Sequence, residues 1–362
     1  MIIKVALNVA PLYVLDYKVD GEINLFQRVV IKVAKRSLIG FVIAKDVSVD
    51  YDENKVRHIE KVLDNNKVII SDDVIKLIKW TSSYYHSDIY NTIKLALPNE
   101  YFKNEEVVPR EDTIYHINEE YSEKLTTKQQ EIFKHIKEHR FLNRNNSKEY
   151  GFSTAIIKTL LNKNAIRQTN QLRDIRSNNI QTNDKDRKLS DEQQVALDSI
   201  VQTKGFEAFL LYGVTGSGKT EIYLQAIQKC LDKSKQVLVL IPEINLTPQT
   251  VTRFNNRFTG KNIVTLHSRL TEKEKLTNWH YIKNGDANIV IATRSGVLAD
   301  FSNLGMIVVD EEHETSYKQF EPSPRYNARD AAIVLAKLHQ AKILLGSATP
   351  SLETYFNAQQ NK

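Results

Sequence analysis

The 362-residue sequence contains a single cysteine, Cys230. A lone thiol excludes a disulfide framework and any zinc cluster built from this chain's own cysteines. No apolar run approaches the roughly 18 residues that a membrane-spanning helix requires. The first twenty residues lack a basic stretch followed by a long apolar one, so no secretory leader is expected and the chain reads as cytoplasmic. What remains is ordinary globular material. Hydrophobic residues make up 41%, and 16 Tyr and 13 Phe give more aromatic surface than a disordered chain carries. The length suits two or three domains.

The net charge of +6 is a weak pointer to polyanions, but its distribution is uneven. Residues 1–100 hold 14 basic and 13 acidic side chains, and residues 189–362 hold 19 and 18. The 57 residues 132–188 hold 13 basic and 5 acidic ones, a local excess of +8. Such a segment is either a solvated helix face with a charged linker or a nucleic-acid footprint.

Four compositional zones follow one another. Short β-type runs at 2–7, 29–33, 38–44 and 67–70 precede a helical pattern at 73–84, predicting a β-rich domain over 1–100. Thr126 or Thr127 can cap a helix to His139, and Ser153 a second one over 154–164. With Lys148, Lys158, Lys163 and Arg167 nearby, these predict a winged-helix-like domain over 112–169. Residues 170–188 are polar and aperiodic and read as a linker. From 189 to 362, six apolar β-type runs alternate with helical patterns, which implies an α/β lobe with a parallel sheet buried on both faces.

Each chemical motif falls at the carboxyl end of a predicted strand, where such sheets bind ligands. Gly213-Val214-Thr215-Gly216-Ser217-Gly218-Lys219-Thr220 matches G-x-x-x-x-G-K-[ST] between a strand and a helix. Its N–H groups can curl around phosphate oxygens, with Lys219 on the β- and γ-phosphates and the Thr220 hydroxyl on Mg²⁺. Asp310-Glu311-Glu312-His313 ends the run 306–309. Asp310 suits the same metal, and Glu311 can polarise an attacking water; the plain alternative is an acidic helix start. Ser347-Ala348-Thr349 follows the last strand. Ser347 and Thr349 are positioned to couple the acidic box to phosphate loss, with His313 as the link.

Phosphate loop, D-E-x-H box and S-A-T in this order resemble the first lobe of a superfamily-2 helicase motor. The words Pro242-Glu243-Ile244-Asn245-Leu246-Thr247-Pro248-Gln249, Leu266-His267-Ser268, Thr293-Arg294-Ser295 and Ser316-Tyr317-Lys318-Gln319 resemble the primosomal protein N′ family, the bacterial replication-restart DNA helicases. The likeness is close over 189–353 and looser over 1–98. It implies a RecA-like ATPase lobe preceded by a small β-rich DNA-binding domain and a winged helix, with ATP and Mg²⁺ as cofactors and 3′→5′ unwinding as the activity.

The resemblance also implies roles. Gln193 reads the adenine edge, although Ser190 followed by Gln193 equally fits a helix capping box. Pro242, Thr247, Gln249, Thr293, Arg294 and Ser295 contact single-stranded DNA, and Tyr317, Phe320 and Tyr326 stack on bases. Asp16, Tyr17, Gly40 and Arg57 belong to a 3′-end pocket, where the family's usual Gly is replaced by Ala34 and a usual Lys by Arg57. Branched and single-stranded DNA, a single-stranded-DNA-binding protein and primosome loading proteins are the implied partners, with no membrane. The family also carries a second lobe and a cysteine-rich zinc module. One cysteine cannot build that module, so the chain is expected to be the N-terminal half, binding ATP and DNA but unwinding poorly. The alternatives are a fork-binding fragment without catalysis and another superfamily-2 DNA translocase.

Overall fold

The computed structural model describes residues 1–9, 14–103, 105–107, 111–119, 121, 124–139, 142–143, 147, 151–172 and 187–360. Two units emerge, Met1–Val107 with Arg176–Lys362, and Val108–Ile175.

In the first unit, strands β1 (Ile2–Ala6), β2 (Val14–Lys18), β3 (Arg28–Val33), β4 (Arg36–Lys45) and β5 (Lys61–Val62) form an antiparallel sheet in the order β2-β1-β4-β3-β5. Alternate residues Ile3, Val5 and Leu7, with Val29 and Ile31, fill one core. Helices α1 (Asp72–Tyr84), α2 (Ile89–Ala96) and α3 (Glu100–Lys103) follow. The predicted strand at 67–70 does not form: these residues lead into α1, whose Ser71 cap accepts from Val74 N. Their apolar character serves burial of Ile70 rather than strand pairing.

The β3–β4 hairpin closes through Ala34 and Lys35, and Ala34 has φ +53°. A side chain there is strained and glycine is not. Ala34→Gly is therefore expected to stabilise the chain by about 0.5–1 kcal/mol, read as a raised urea midpoint at unchanged m-value.

The second unit holds a three-stranded antiparallel sheet, β7-β6-β8, packed with helices. Its elements are β6 (Glu111–Ile117), α4 (Thr127–His139), β7 (Leu142–Asn143), α5 (Thr154–Asn162) and β8 (Ile166–Leu172). Ile132, Ile136, Leu142, Ile157 and Leu160 are buried together. Strand β8 takes in residues 170–172, which the sequence assigned to the linker; pairing with β6 overrides their polar composition. The rest of that linker to 186, and Lys148, lie outside the described residues.

The remainder of the first unit is the α/β lobe. Its elements are α6 (Asp191–Gln202), β9 (Glu207–Tyr212), α7 (Lys219–Leu231), β10 (Gln236–Leu240), α8 (Pro248–Arg257), β11 (Ile263–Leu266), α9 (Glu272–Lys283), β12 (Ile289–Ala292), β13 (Leu304–Asp310), α10 (Ala328–Leu338), β14 (Lys342–Ser347) and α11 (Leu352–Gln359). Six parallel strands run in the order β11-β12-β10-β13-β14-β9. Every residue of β10 and β12 is buried, which is why, Gln236 aside, these strands read as apolar runs. Cys230 packs in this core, where burial raises its thiol pKa to about 11.

The lobe is pinned to the β-rich domain within the same unit. Trp279 Nε1 donates to the Ala96 carbonyl at 3.1 Å, and Lys283 Nζ donates to Asp300 at 2.7 Å and to the Ile69 carbonyl. His280 Nε2 lies 3.3 Å from the Tyr101 hydroxyl, and burial, then nearby Lys283, depresses its pKa to about 4. The folded chain thus holds fewer protons here than the unfolded one, and this stability is present above pH ~6.5 and lost as pH falls toward 4. A His280→Gln variant should show a shallower loss of urea midpoint between pH 7 and 5 than the parent. An identical loss would mean that other groups set it.

Candidate functional site

The strand order explains how distant motifs meet. β13, β14 and β9 are neighbours, with Asp310 in register with Gly346 and Ser347 with Tyr212. The acidic box, the S-A-T segment and the phosphate loop therefore leave three adjacent strands side by side. β10, β11 and β12, which lead to the segments after 240, 266 and 292, make up the other half of the sheet.

The phosphate loop needs its glycines. Gly216 and Gly218 have φ of +83° and +84°, and Gly218 starts α7. Gly213 N donates to the Ser347 carbonyl at 3.3 Å, docking the loop on the S-A-T segment. Lys219 is buried, and its ammonium donates to the Gly213 carbonyl at 2.6 Å and to that of Val214 at 3.2 Å. Gln193 completes the capping box with Ser190 and also donates from Nε2 to the Ser217 carbonyl at 2.8 Å. Both ends of its amide are engaged by protein, so the cap is realised and adenine reading requires those bonds to open.

Asp310 ends β13 and Glu311 turns the chain at φ +48°. Burial, then the Glu311 charge, holds the Asp310 carboxyl above its usual range. His313 Nδ1 is 2.7 Å from Ser347 Oγ, which also accepts from Thr349 N at 2.9 Å. Asp310 and Thr220 line one cavity of about 330 Å³ with Tyr223, Asn245 and Thr247. A carboxylate and a hydroxyl on one cavity fit Mg²⁺, which takes few protein oxygens and completes its shell with phosphate and water. No cluster of three or more His, Cys, Asp or Glu with metal-holding geometry occurs among the described residues.

A second cavity, about 300 Å³, lies between residues 95–99 of the β-rich domain and the lobe. Thr293, Arg294, Ser295, His267, Ser268 and Tyr317 are among its lining residues. Pro242 precedes the short turn Glu243–Asn245, and Thr247 caps α8 by accepting from Thr250 N, with Gln249 in the first turn. Expected base stacking by Tyr317 and Tyr326 is not met. Both are buried: Tyr317 donates its hydroxyl toward the Leu240 and Asp310 carbonyls at 2.9 and 2.6 Å, and Tyr326 donates to the Arg294 carbonyl at 3.2 Å. Phe320 alone of the three is offered to solvent, at 68% exposure.

In the β-rich domain, Asp16 accepts from Lys4 Nζ and from the Tyr51 hydroxyl, both at 2.9 Å. Neighbouring side chains of a strand face opposite ways. Tyr17 accordingly enters the core, donating to the Lys32 carbonyl at 3.1 Å, and is not presented beside Asp16. Gly40 sits on β4, where a Cβ would approach Val5 Cγ1 to 2.4 Å; it permits packing between strands. Arg57 is exposed, and its carbonyl accepts from Lys18 N at 2.7 Å.

Two family models match separate parts of the chain. Residues 190–357 match the DEAD/DEAH box helicase model, and residues 4–98 match the 3'DNA-binding domain (3'BD) of PriA. The replication restart protein PriA of Haemophilus influenzae is 38% identical over 377 residues, covering 100% of this chain and 51% of that protein. The Bacillus subtilis PriA is 46% identical over 213 residues, 58% of this chain and 26% of that protein. The chain belongs to the PriA family. A third PriA, from Rickettsia prowazekii, is 35% identical over 364 residues and is covered to 45%. The chain thus spans about half the length of the curated relatives it matches end to end.

Within this PriA-family lobe, one residue escaped sequence reasoning. Glu312, the variable position of D-E-x-H, has a fully buried side chain. It accepts from Arg329 Nη1 at 3.0 Å, Ser351 N at 2.7 Å, Ser351 Oγ at 3.2 Å and Thr354 Oγ1 at 3.0 Å. It ties the acidic box to α10 and to the segment after the S-A-T motif. A carboxylate between two motif residues offers no sequence signal for this; its partners lie 17 to 42 residues away.

Proposed function

We propose that this chain binds ATP with Mg²⁺ and branched or single-stranded DNA, and that it serves ATP-driven 3′→5′ unwinding of DNA during replication restart. The observation that carries the reading is the hydrogen-bonded cluster of three motifs. Gly213 N meets the Ser347 carbonyl, and His313 meets Ser347 Oγ, so loop, box and S-A-T segment form one unit.

In this reading Lys219 leaves the loop carbonyls for the β- and γ-phosphates, and the N–H groups of 216–220 cradle them. When bound, Mg²⁺ would neutralise phosphate charge, with Asp310 and Thr220 as its protein oxygens. Glu311, partly exposed beside His313 at 3.6 Å, orients the attacking water and takes its proton. Ser347, held by His313, senses the change at the box and passes it to Thr349. Arg294, Ser295 and Thr247 hold strand phosphates along the β10–β12 half of the lobe, with Phe320 as the stacking surface.

Residues 1–100 are proposed as the 3′-end domain, 112–169 as a winged helix on duplex and 170–188 as the linker to the lobe at 189–362. Partnership with a single-stranded-DNA-binding protein and with primosome loading proteins, and a cytoplasmic location, belong to the same proposal. No helix among the described residues is long and apolar enough to cross a membrane. The test is a titration of the chain with a fluorescent ATP analogue and Mg²⁺, beside forked and blunt duplex DNA. Nucleotide binding and preference for the fork are expected, with little turnover. Absence of nucleotide binding would sink the ATPase reading, and robust DNA-stimulated turnover would show that these residues suffice as a motor.

A further inference from the structure

One carboxylate joins the nucleotide helix, the DNA-facing helix and the chain that enters the lobe. Glu221 lies in the first turn of α7, one residue after Thr220 and two after Lys219. Its Oε1 accepts from Arg257 Nη2 at 2.9 Å, Gln225 Nε2 at 2.9 Å and Arg187 N at 3.3 Å. Gln225 Nε2 also donates to the Arg187 carbonyl at 2.9 Å. The ion pair is nearly dry, with side-chain exposures of 4% for Arg257 and 11% for Glu221.

Arg257 is the last residue of α8, and the other end of that helix is the Thr247 cap followed by Pro248 and Gln249. Ten helical residues make a strut of about 15 Å. A displacement of its first turn by a bound strand is therefore delivered at Arg257, against the turn that carries Lys219 and Thr220.

A glutamate in a first turn is ordinarily explained by the helix dipole, but that effect needs neither burial nor an arginine. Nor is a buried ion pair retained for stability, since its desolvation cost commonly offsets its attraction. We propose that Glu221 and Arg257 are positioning residues that couple occupancy of the DNA face to nucleotide affinity. This rests on the proposed binding of both ligands. The Arg187 backbone on the same oxygen brings the end of the proposed linker into the coupling.

The test measures linkage. Affinity for a fluorescent ADP analogue with Mg²⁺ is determined with and without saturating oligothymidylate, in the parent, Glu221→Gln, Arg257→Gln and the double variant. Coupling in the parent is expected to be at least about fivefold. Either single substitution breaks the ion pair from one side, so the double variant, which removes both partners, is decisive if the singles fold poorly. It is expected to bind each ligand alone within about threefold of the parent while its coupling factor falls to within about twofold of unity. A double variant that melts lower yet keeps the parent's coupling reduces the pair to a structural tie and overturns the proposal. A parent that binds both ligands without coupling also overturns it, leaving the functional reading intact. A parent that binds neither overturns the functional reading and this proposal with it.

Discussion

Lys219→Ala lowers affinity for an ATP analogue by about 10²- to 10⁴-fold while leaving the fold and DNA binding in place. The ammonium is the one cation within the loop, and it now donates to the Gly213 and Val214 carbonyls. Those bonds hold the loop curled and place the charge where a phosphate must sit. Exchanging the carbonyls for two phosphate oxygens forms charge-assisted hydrogen bonds of about 1.5–3 kcal/mol each, which sets the range above. The carbonyls released by the substitution sit in an open loop where water can satisfy them, so melting should shift little. Isothermal titration of parent and variant, with fork binding as the control for folding, decides it. A loss under about tenfold would place the phosphates elsewhere than in this loop.

The lobe was legible because its physics is repetitive. Strands buried on both faces are apolar almost throughout, so 237–240, 289–292 and 306–309 declare themselves, and a motif segment follows directly after each of them. Long-range pairing was less visible. β8 reads Ile166-Arg167-Gln168-Thr169-Asn170-Gln171-Leu172, a polar string that becomes a strand only because β6 lies beside it. β2, Val-Leu-Asp-Tyr-Lys, carries too few apolar residues for its alternation to stand out.

Side-chain roles were hardest where a residue type supports two fates. Tyr317 and Tyr326 could be base platforms or buried hydroxyl donors, and the carbonyls of Leu240 and Arg294 decide for the second. Gln193 was the reverse case. Capping and adenine contact both fitted its position, and the cap is formed. The antiparallel domain shows the same limit at Asp16 and Tyr17. Adjacent in sequence, they point to opposite faces of β2, so only Asp16 is left outside the core and available to the proposed 3′-end pocket.

Glu312→Ala should cost about 3–5 kcal/mol of folding stability, the largest single loss expected in the lobe. The side chain is wholly buried and its oxygens accept four hydrogen bonds. Truncation leaves the Arg329 guanidinium, of which only 14% is exposed, with Asp330 and Ser351 but without the second of its two carboxylate partners. It also leaves Ser351 N and Thr354 Oγ1 without their shared acceptor. Glu312→Gln keeps a carbonyl acceptor and should lose less, because it removes the charge but not the volume. Removing Arg329 as well should recover part of the loss, so the two substitutions are expected to be non-additive by more than about 1 kcal/mol. Urea denaturation of the four-protein cycle measures this directly. A Glu312→Ala cost below about 1 kcal/mol would mean that the acidic box is held by the strand ladder and the His313–Ser347 bond alone. The larger value makes Glu312 the anchor that lets Asp310 and Glu311, on the same turn, keep their aim at the phosphate loop.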